Sequence, residues 1–296
     1  MFSIPYLLEQ LAIGIASGAI YAIVAMAFNL VFGVLNVLNM AMGATMMVGA
    51  YGVLLGFYLG ITNYWLAMGV GVLIALATGL LVERVAVRPL KENWWNIKVA
   101  TIGFALFLEN LVTRLTDGRP TPYPRPFEVQ YYSIFGLFEL SNVQLFLVGF
   151  AVLLLLLMIF FLYRTTMGKA VRVIAQNRDL AQCLGIDVRR VTVVTFGVSA
   201  VLAGVAGMLN SISFASVYPF VGQQLGLKAV VVLIVAGIGN MRGCLYVGLG
   251  LGILESLAVG FGESTYRDFI AYGGMILILL ARPHGLFGEE ARVKEI

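Results

Sequence analysis

Apolar residues dominate the chain in runs at 10–32, 37–59, 64–82, 98–116, 143–163, 191–212, 226–239, 243–261 and 267–281, separated by brief polar breaks. Most runs approach the roughly 20 residues that a helix needs to cross the hydrocarbon of a bilayer; the seventh and ninth are shorter. The pattern predicts an all-α, polytopic integral membrane helix bundle. It has eight to nine transmembrane segments, broken or half helices among them, in one transmembrane domain spanning 1–296. Composition supports this reading, because only 11% of the residues are charged, where soluble domains carry about 25%. The first apolar run lacks a preceding basic region, and no small-residue cleavage site leads into a soluble domain. It is expected to be a retained span.

Lysine and arginine then orient the bundle. The segment 82–98 holds Arg84, Arg88, Lys91 and Lys98, the segment 164–190 holds Arg164, Lys169, Arg172, Arg178, Arg189 and Arg190, and the tail holds Arg282, Arg292 and Lys294. With alternating spans all three segments fall on one side, which the positive-inside rule makes the cytoplasm. The N-terminus and the connection 117–142 are then outside, and the C-terminus is cytoplasmic. Pro120, Pro122, Pro124 and Pro126 exclude helix from that connection and favour a stiff, extended course. Trp94 and Trp95 beside Lys91 and Lys98 suit a membrane interface. The net charge of +4 is no nucleic-acid signature, since the basic residues cluster in loops that flank spans.

Candidate chemistry is sparse. One histidine (His284) and two cysteines (Cys183 and Cys244) allow neither a metal cluster nor a disulfide framework. There is no G-x-x-x-x-G-K-[ST] loop for ATP, and the aspartates Asp117, Asp179, Asp187 and Asp268 have no catalytic pairing. Glycines spaced by four, Gly14/Gly18, Gly52/Gly56/Gly60, Gly239/Gly243 and Gly248/Gly252, predict close helix packing. Asn29, Asn36 and Asn39, with Gly33 and Gly43, occupy the passage from the first run to the second without a charged loop. They either mark a broken helix lining a cavity or cap two helix ends at the cytoplasmic surface. Among the costly intramembrane groups, Arg114 and Lys228 are expected to snorkel to the outer interface. Glu109 is expected to pair with Arg114, and Glu255, deeper in its span, to serve as a hydrogen-bonding partner.

Between the fifth and sixth runs, the spacing of Ala170, Val173, Ile174, Leu180, Ala181 and Leu184 predicts an amphipathic helix over 169–184. Lys169, Arg172, Gln176, Asp179 and Gln182 form its polar face, and Gly185 its stop. Such a helix either lies on the anionic inner leaflet or docks in a protein groove. Mixed polarity and small residues fit the groove.

These stretches carry a family likeness. Phe28 to Asn36, Asn39 to Gly43 and Met47 to Tyr51 resemble the first-to-second-span signature of the permease subunits of bacterial branched-chain amino-acid ABC transporters, LivH-type. Glu83-Arg84 with Arg88-Pro-Leu90, Thr101-Ile-Gly103, and Arg282 to Gly288 fit the same family. Gly168, Lys169, Arg172, Ala175, Gln176, Asn177, Ala181, Gly185 and Ile186 resemble its ATPase-coupling segment. The resemblance implies an importer subunit of the bacterial inner membrane with no ATP site or cofactor of its own. Its partners would be a second permease, like or unlike, two ABC ATPase subunits and an extracytoplasmic solute-binding protein, in a lipid bilayer and without nucleic acid. It places Asn29, Asn36, Asn39, Met42, Gly43 and Glu255 on the translocation pathway. Met42 departs from the family, which usually has histidine there. Leucine, isoleucine, valine or related amino acids are the implied substrates. Urea, short amides or other small amino acids are the alternative, and an ion-coupled transporter or channel is the competing class.

Overall fold

A computed structural model describes residues 4–90, 94–134, 138–261, 266–282 and 285–287. Lys91, His284, Gly288, Arg292 and Lys294 lie outside the described residues. The helices are α1 (Ile4–Leu35), α2 (Met42–Tyr58), α3 (Tyr64–Val82), α4 (Trp94–Thr116), α5 (Asn142–Arg164), α6 (Thr166–Gln176), α7 (Arg178–Cys183), α8 (Val188–Phe214), α9 (Val221–Ala236), α10 (Met241–Phe261) and α11 (Tyr266–Ala281). A π turn (Glu83–Val87) and a 3-10 turn (Arg88–Leu90) prolong α3. Two short antiparallel ribbons complete the fold: β1 (Thr121–Pro122) with β4 (Ser216–Val217), and β2 (Tyr131–Ile134) with β3 (Phe138–Ser141).

Among the described residues, six helices are long and apolar enough to cross a membrane: α1, α3 with its prolongation, α4, α5, α8 and α10. The protein is therefore a multi-pass membrane protein. Helices α2, α9 and the apolar part of α11 fall short of that length. At 1.5 Å per residue α2 rises about 25 Å, less than the roughly 30 Å of hydrocarbon. The run 37–59 does not become one continuous span, because α1 ends at Asn36, whose φ of 54° is left-handed, and helix resumes only at Met42. The run 226–239 also shifts, to 221–236.

Glycine contacts set the helix spacing. A Cβ on Gly18 would lie 2.8 Å from the Gly248 carbonyl oxygen, and one on Gly14 would lie 2.8 Å from Ile253 Cα. Helices α1 and α10 therefore touch backbone to backbone, as the four-residue spacing predicts. Gly52 meets Gly71 of α3 in the same way, Gly49 meets Gly204 of α8, and Gly43 meets Gly222 of α9. Gly60 (φ 87°) and Gly239 (φ 91°) have nothing within 4 Å of a would-be Cβ. They form turns and do not pack helices, contrary to their spacing.

The ribbons and the pair α6–α7 occupy opposite ends of α5, whose 23 residues separate them by about 35 Å. At the ribbon end the proline-rich stretch is extended. Tyr123 donates its N–H to the Ala215 carbonyl at 2.9 Å, and Arg125 Nε donates to the Ile212 carbonyl at 3.4 Å.

Replacing Gly18 with leucine should cost more than about 2 kcal/mol, because neither backbone can recede without unpacking the pair. Gly250→Ala, where nothing lies within 4 Å, should leave stability unchanged or slightly raised. Thermal unfolding of the detergent-extracted protein, followed by monodispersity, separates the two. Equal stability of both variants would refute the close-contact reading.

Candidate functional site

Three clusters bring the chemistry-bearing residues together. The first is the passage from α1 to α2. Asn29 is fully buried, accepting from the Gly239 N–H at 2.9 Å and donating from Nδ2 to Cys244 Sγ at 3.4 Å. It ties α1 to the turn that opens α10. Asn39, also buried, accepts the Ala41 N–H on Oδ1 at 3.1 Å, and the Met40 N–H donates to Thr101 Oγ1 on α4 at 3.4 Å. These asparagines satisfy broken backbone inside protein, the setting in which irregular chain at membrane depth is tolerated. Asn36 alone is exposed. Met42 is 1% exposed and packs in the core, and Gly43 lies against Gly222.

The second cluster is charged. Lys228 of α9 is only 8% exposed. Its Nζ stands 2.9 Å from Glu255 Oε1 of α10 and 3.0 Å from Asp268 Oδ1 of α11. Glu255, completely buried, also accepts from the Tyr21 hydroxyl of α1 at 2.8 Å. Four helices meet at two ion pairs sharing Lys228 and the hydrogen bond from Tyr21. The expected snorkelling of Lys228 does not occur, because counter-charges within 3.0 Å remove the reason to reach water. Glu109 does not pair with Arg114 either. Five residues apart on a helix, the two point about 140° away from each other; Glu109 instead accepts from Gln223 Nε2 of α9 at 3.1 Å. Opposite charges in neighbouring apolar runs were the only sequence signal for the Lys228–Glu255 pair.

The third cluster is α6–α7. The single helix expected over 169–184 is two, divided at Asn177, whose φ of −158° and ψ of 114° are extended. Asn177 caps α7, its Oδ1 accepting from the Asp179 and Leu180 N–H groups at 3.0 Å each. Asparagine's preference for the N-cap outweighs helix continuation here. Gly185 ends α7 with φ 75°. Gly168 lies so close to α5 that a Cβ would stand 2.6 Å from Leu162 Cα, which fixes the fold-back. Val171, Ile174 and Ala181 face inward, whereas Lys169, Arg172, Ala175, Gln176, Asn177 and Gly185 are exposed and Ile186 is half-buried. Leu180 and Leu184, expected on the packed face, are 57% and 67% exposed. The break at Asn177 turns them outward.

All three clusters adjoin α1. A Cβ on Gly33 would touch Ala175 Cβ of α6 at 3.5 Å, one turn from Asn29, and Tyr21 lies eight residues further back, about 12 Å along the helix. Between α1, α5, α6 and the turn before α10 is a cavity of about 490 Å³ lined by Asn29, Gly33, Arg172, Gln176 and Asn240. Arg172 and Arg242 both stack on Tyr163, at 4.8 and 5.3 Å. Among the described residues no group of three histidine, cysteine or acidic side chains could hold a metal ion.

The family described as branched-chain amino acid transport system / permease component matches residues 10–279. The chain is 31% identical to the high-affinity branched-chain amino acid transport system permease protein LivH of Salmonella typhimurium, covering 96% of each chain. It is 31% identical to BraD of Pseudomonas aeruginosa, covering 98% of each. Its identity to LivM of Escherichia coli is 26%, over 95% of this chain and 71% of that one. A solved metal-chelate type ABC transporter in an inward-facing conformation has the same fold, with a TM-score of 0.54 at 15% identity, over 93% of this chain and 87% of the other. The chain belongs to the family of branched-chain amino acid transport system permease components.

Proposed function

We propose that this protein is one membrane-spanning permease subunit of an ATP-driven ABC importer for leucine, isoleucine, valine or related amino acids. The observation that carries the reading is α6–α7. It lies outside every long apolar helix, is locked onto α5 at Gly168, approaches Gly33 of α1 at Ala175, and exposes Leu180 and Leu184 as well as Arg172 and Gln176. That surface suits a soluble ATPase. With the positive-inside rule, α6–α7 and the C-terminus face the cytoplasm of the bacterial inner membrane. The N-terminus and the ribbons then face the solute-binding protein outside. Helices α2, α9 and α11 bring the segments to eight or nine, the first two as half helices. Similarity to LivH-named and, more weakly, LivM-named relatives favours an unlike second permease.

In this mechanism the chain contributes no bond-breaking group. Closure of two partner ATPases on ATP displaces α6. The contact of Ala175 with Gly33 passes the displacement to α1, which carries α10 with it through the glycine seam and the Asn29 and Tyr21 hydrogen bonds. Access to the solute then switches from one face to the other.

Leu180→Asp/Leu184→Asp should reduce leucine uptake about tenfold or more, with membrane level unchanged and less ATPase subunit co-purifying. Gly185→Val should act in the same direction, since its φ of 75° costs a branched residue about 1–2 kcal/mol. Normal uptake and normal co-purification in both would remove α6–α7 from the coupling role. Uptake into proteoliposomes should require ATP and survive a protonophore; dependence on an ion gradient would point to a secondary transporter.

A further inference from the structure

Helices α3, α5 and α8, all long and apolar enough to cross a membrane, enclose an open groove of about 530 Å³. Leu76 and Leu80 of α3, Leu157 and Phe161 of α5, and Val194 and Val201 of α8 line it, and no lining side chain is polar. From Val193 to Leu202 it runs about 14 Å along α8, close to half of the roughly 30 Å of hydrocarbon. The groove is as long as one leaflet is deep. Charge marks one end of it. Arg84 is four residues past Leu80, Arg164 three past Phe161, and Arg190 four before Val194. Spacings of three and four keep to one face of a helix. Each helix that lines the groove therefore carries an arginine on the same face, one turn beyond its end. All three arginines are exposed, and the ion pairs among the described residues belong to Lys228 and involve none of them. The carboxylates at this end are Glu83, which is buried, and Asp187, which caps α8. Arg88 and Arg189 balance those two, so the charge of the three groove arginines stands.

We propose that this groove is a binding site for an anionic phospholipid, with an acyl chain lying along α8 and the phosphate among Arg84, Arg164 and Arg190. Basic pockets between membrane helices hold acidic lipid headgroups in this way. The tail alone confers no preference, since lipid chains are as apolar as leucine; the arginines supply the selectivity. A helix of a second permease is the other candidate cover, and the lining argues against it. Helices approach one another in lipid on small residues, and the glycine here, Gly197, is already covered: a Cβ on it would lie 3.2 Å from Leu76 Cδ1 of α3. A crossing helix would also be expected to follow both leaflets, not one. The site stands apart from the importer reading; only the name of its leaflet, the inner one, rests on the orientation proposed above.

The test uses the full chain, with the partner subunits that co-purify, in phosphatidylcholine vesicles. Leu157→Cys, 54% exposed on the groove, and Leu156→Cys, 60% exposed at the same depth but about 100° around α5, each carry a bimane label. The background is Cys183→Ser, because Cys183 is exposed, and the buried Cys244 stays. Phosphatidylglycerol and phosphatidylcholine bearing the same acyl-chain nitroxide are titrated in as quenchers. At position 157 the anionic lipid should quench at an about tenfold lower mole fraction; at position 156 the two should be equal. Arg164→Gln/Arg190→Gln should remove the preference, with quenching at position 156 unchanged as the check on insertion. Arg114→Gln/Arg119→Gln, the same loss of charge at the ribbon end, should keep it. Equal quenching at position 157 by the two lipids means ordinary lipid contact and overturns the site. A preference that survives Arg164→Gln/Arg190→Gln overturns it as well. Quenching at position 156 but by neither lipid at 157 means that another subunit covers the groove, and also overturns it. A failure of ATP-driven uptake in the same vesicles would bear on the importer reading alone.

Discussion

A carboxylate buried in a membrane protein must have its counter-charge beside it, and much of this bundle is arranged around satisfying that demand for Glu255. Lys228 approaches from α9, the Tyr21 hydroxyl from α1, and Asp268 closes the far side of the ammonium from α11. Removing Lys228 would leave Glu255 an uncompensated buried charge, at a cost of several kcal/mol. Hydrocarbon offers no hydrophobic drive to hold helices together. The pair therefore supplies direction as well as attraction, fixing how far α9 can slide or turn against α10.

The glycine seam between α1 and α10 is the complementary constraint. Backbone contact at Gly14, Gly18, Gly248 and Gly252 makes the two helices one body over most of their length. That body is pinned by Asn29 on Gly239 at the α6 end and by the Ser256 hydroxyl on the Gln10 carbonyl at the other. Packed interfaces of this kind shift between discrete arrangements and do not bend continuously.

Much of the architecture was legible in the residues. Apolar runs of the right length located the crossing helices, four-residue glycine spacing located the α1–α10 contact, and Gly185 marked the end of α7. Local patterns were less reliable where two preferences compete. Asn177 is compatible with a helix interior by periodicity, yet its side chain does better as a cap, and the split exposes Leu180 and Leu184. Lys228 read alone looked like a side chain reaching for water. Its partners Glu255 and Asp268 lie in other helices, and no spacing rule connects positions that meet only when the bundle closes.

By itself the sequence determined the class of the molecule: a chain this apolar, with its basic residues gathered in loops, can satisfy its backbone only as membrane helices. The amphipathic segment of α6 and α7 was also evident locally, because an amphipathic period needs only its own residues to be recognised. The tertiary structure alone decided where the polar groups go. Asn29 became a clasp on Gly239, Asn39 the acceptor of a tight turn onto the Ala41 N–H, Met42 a core side chain, and Glu255 the anchor of a lysine that lines a cavity. Hydrogen bonds and ion pairs act over about 3 Å, and which groups come within that reach depends on how the helices pack.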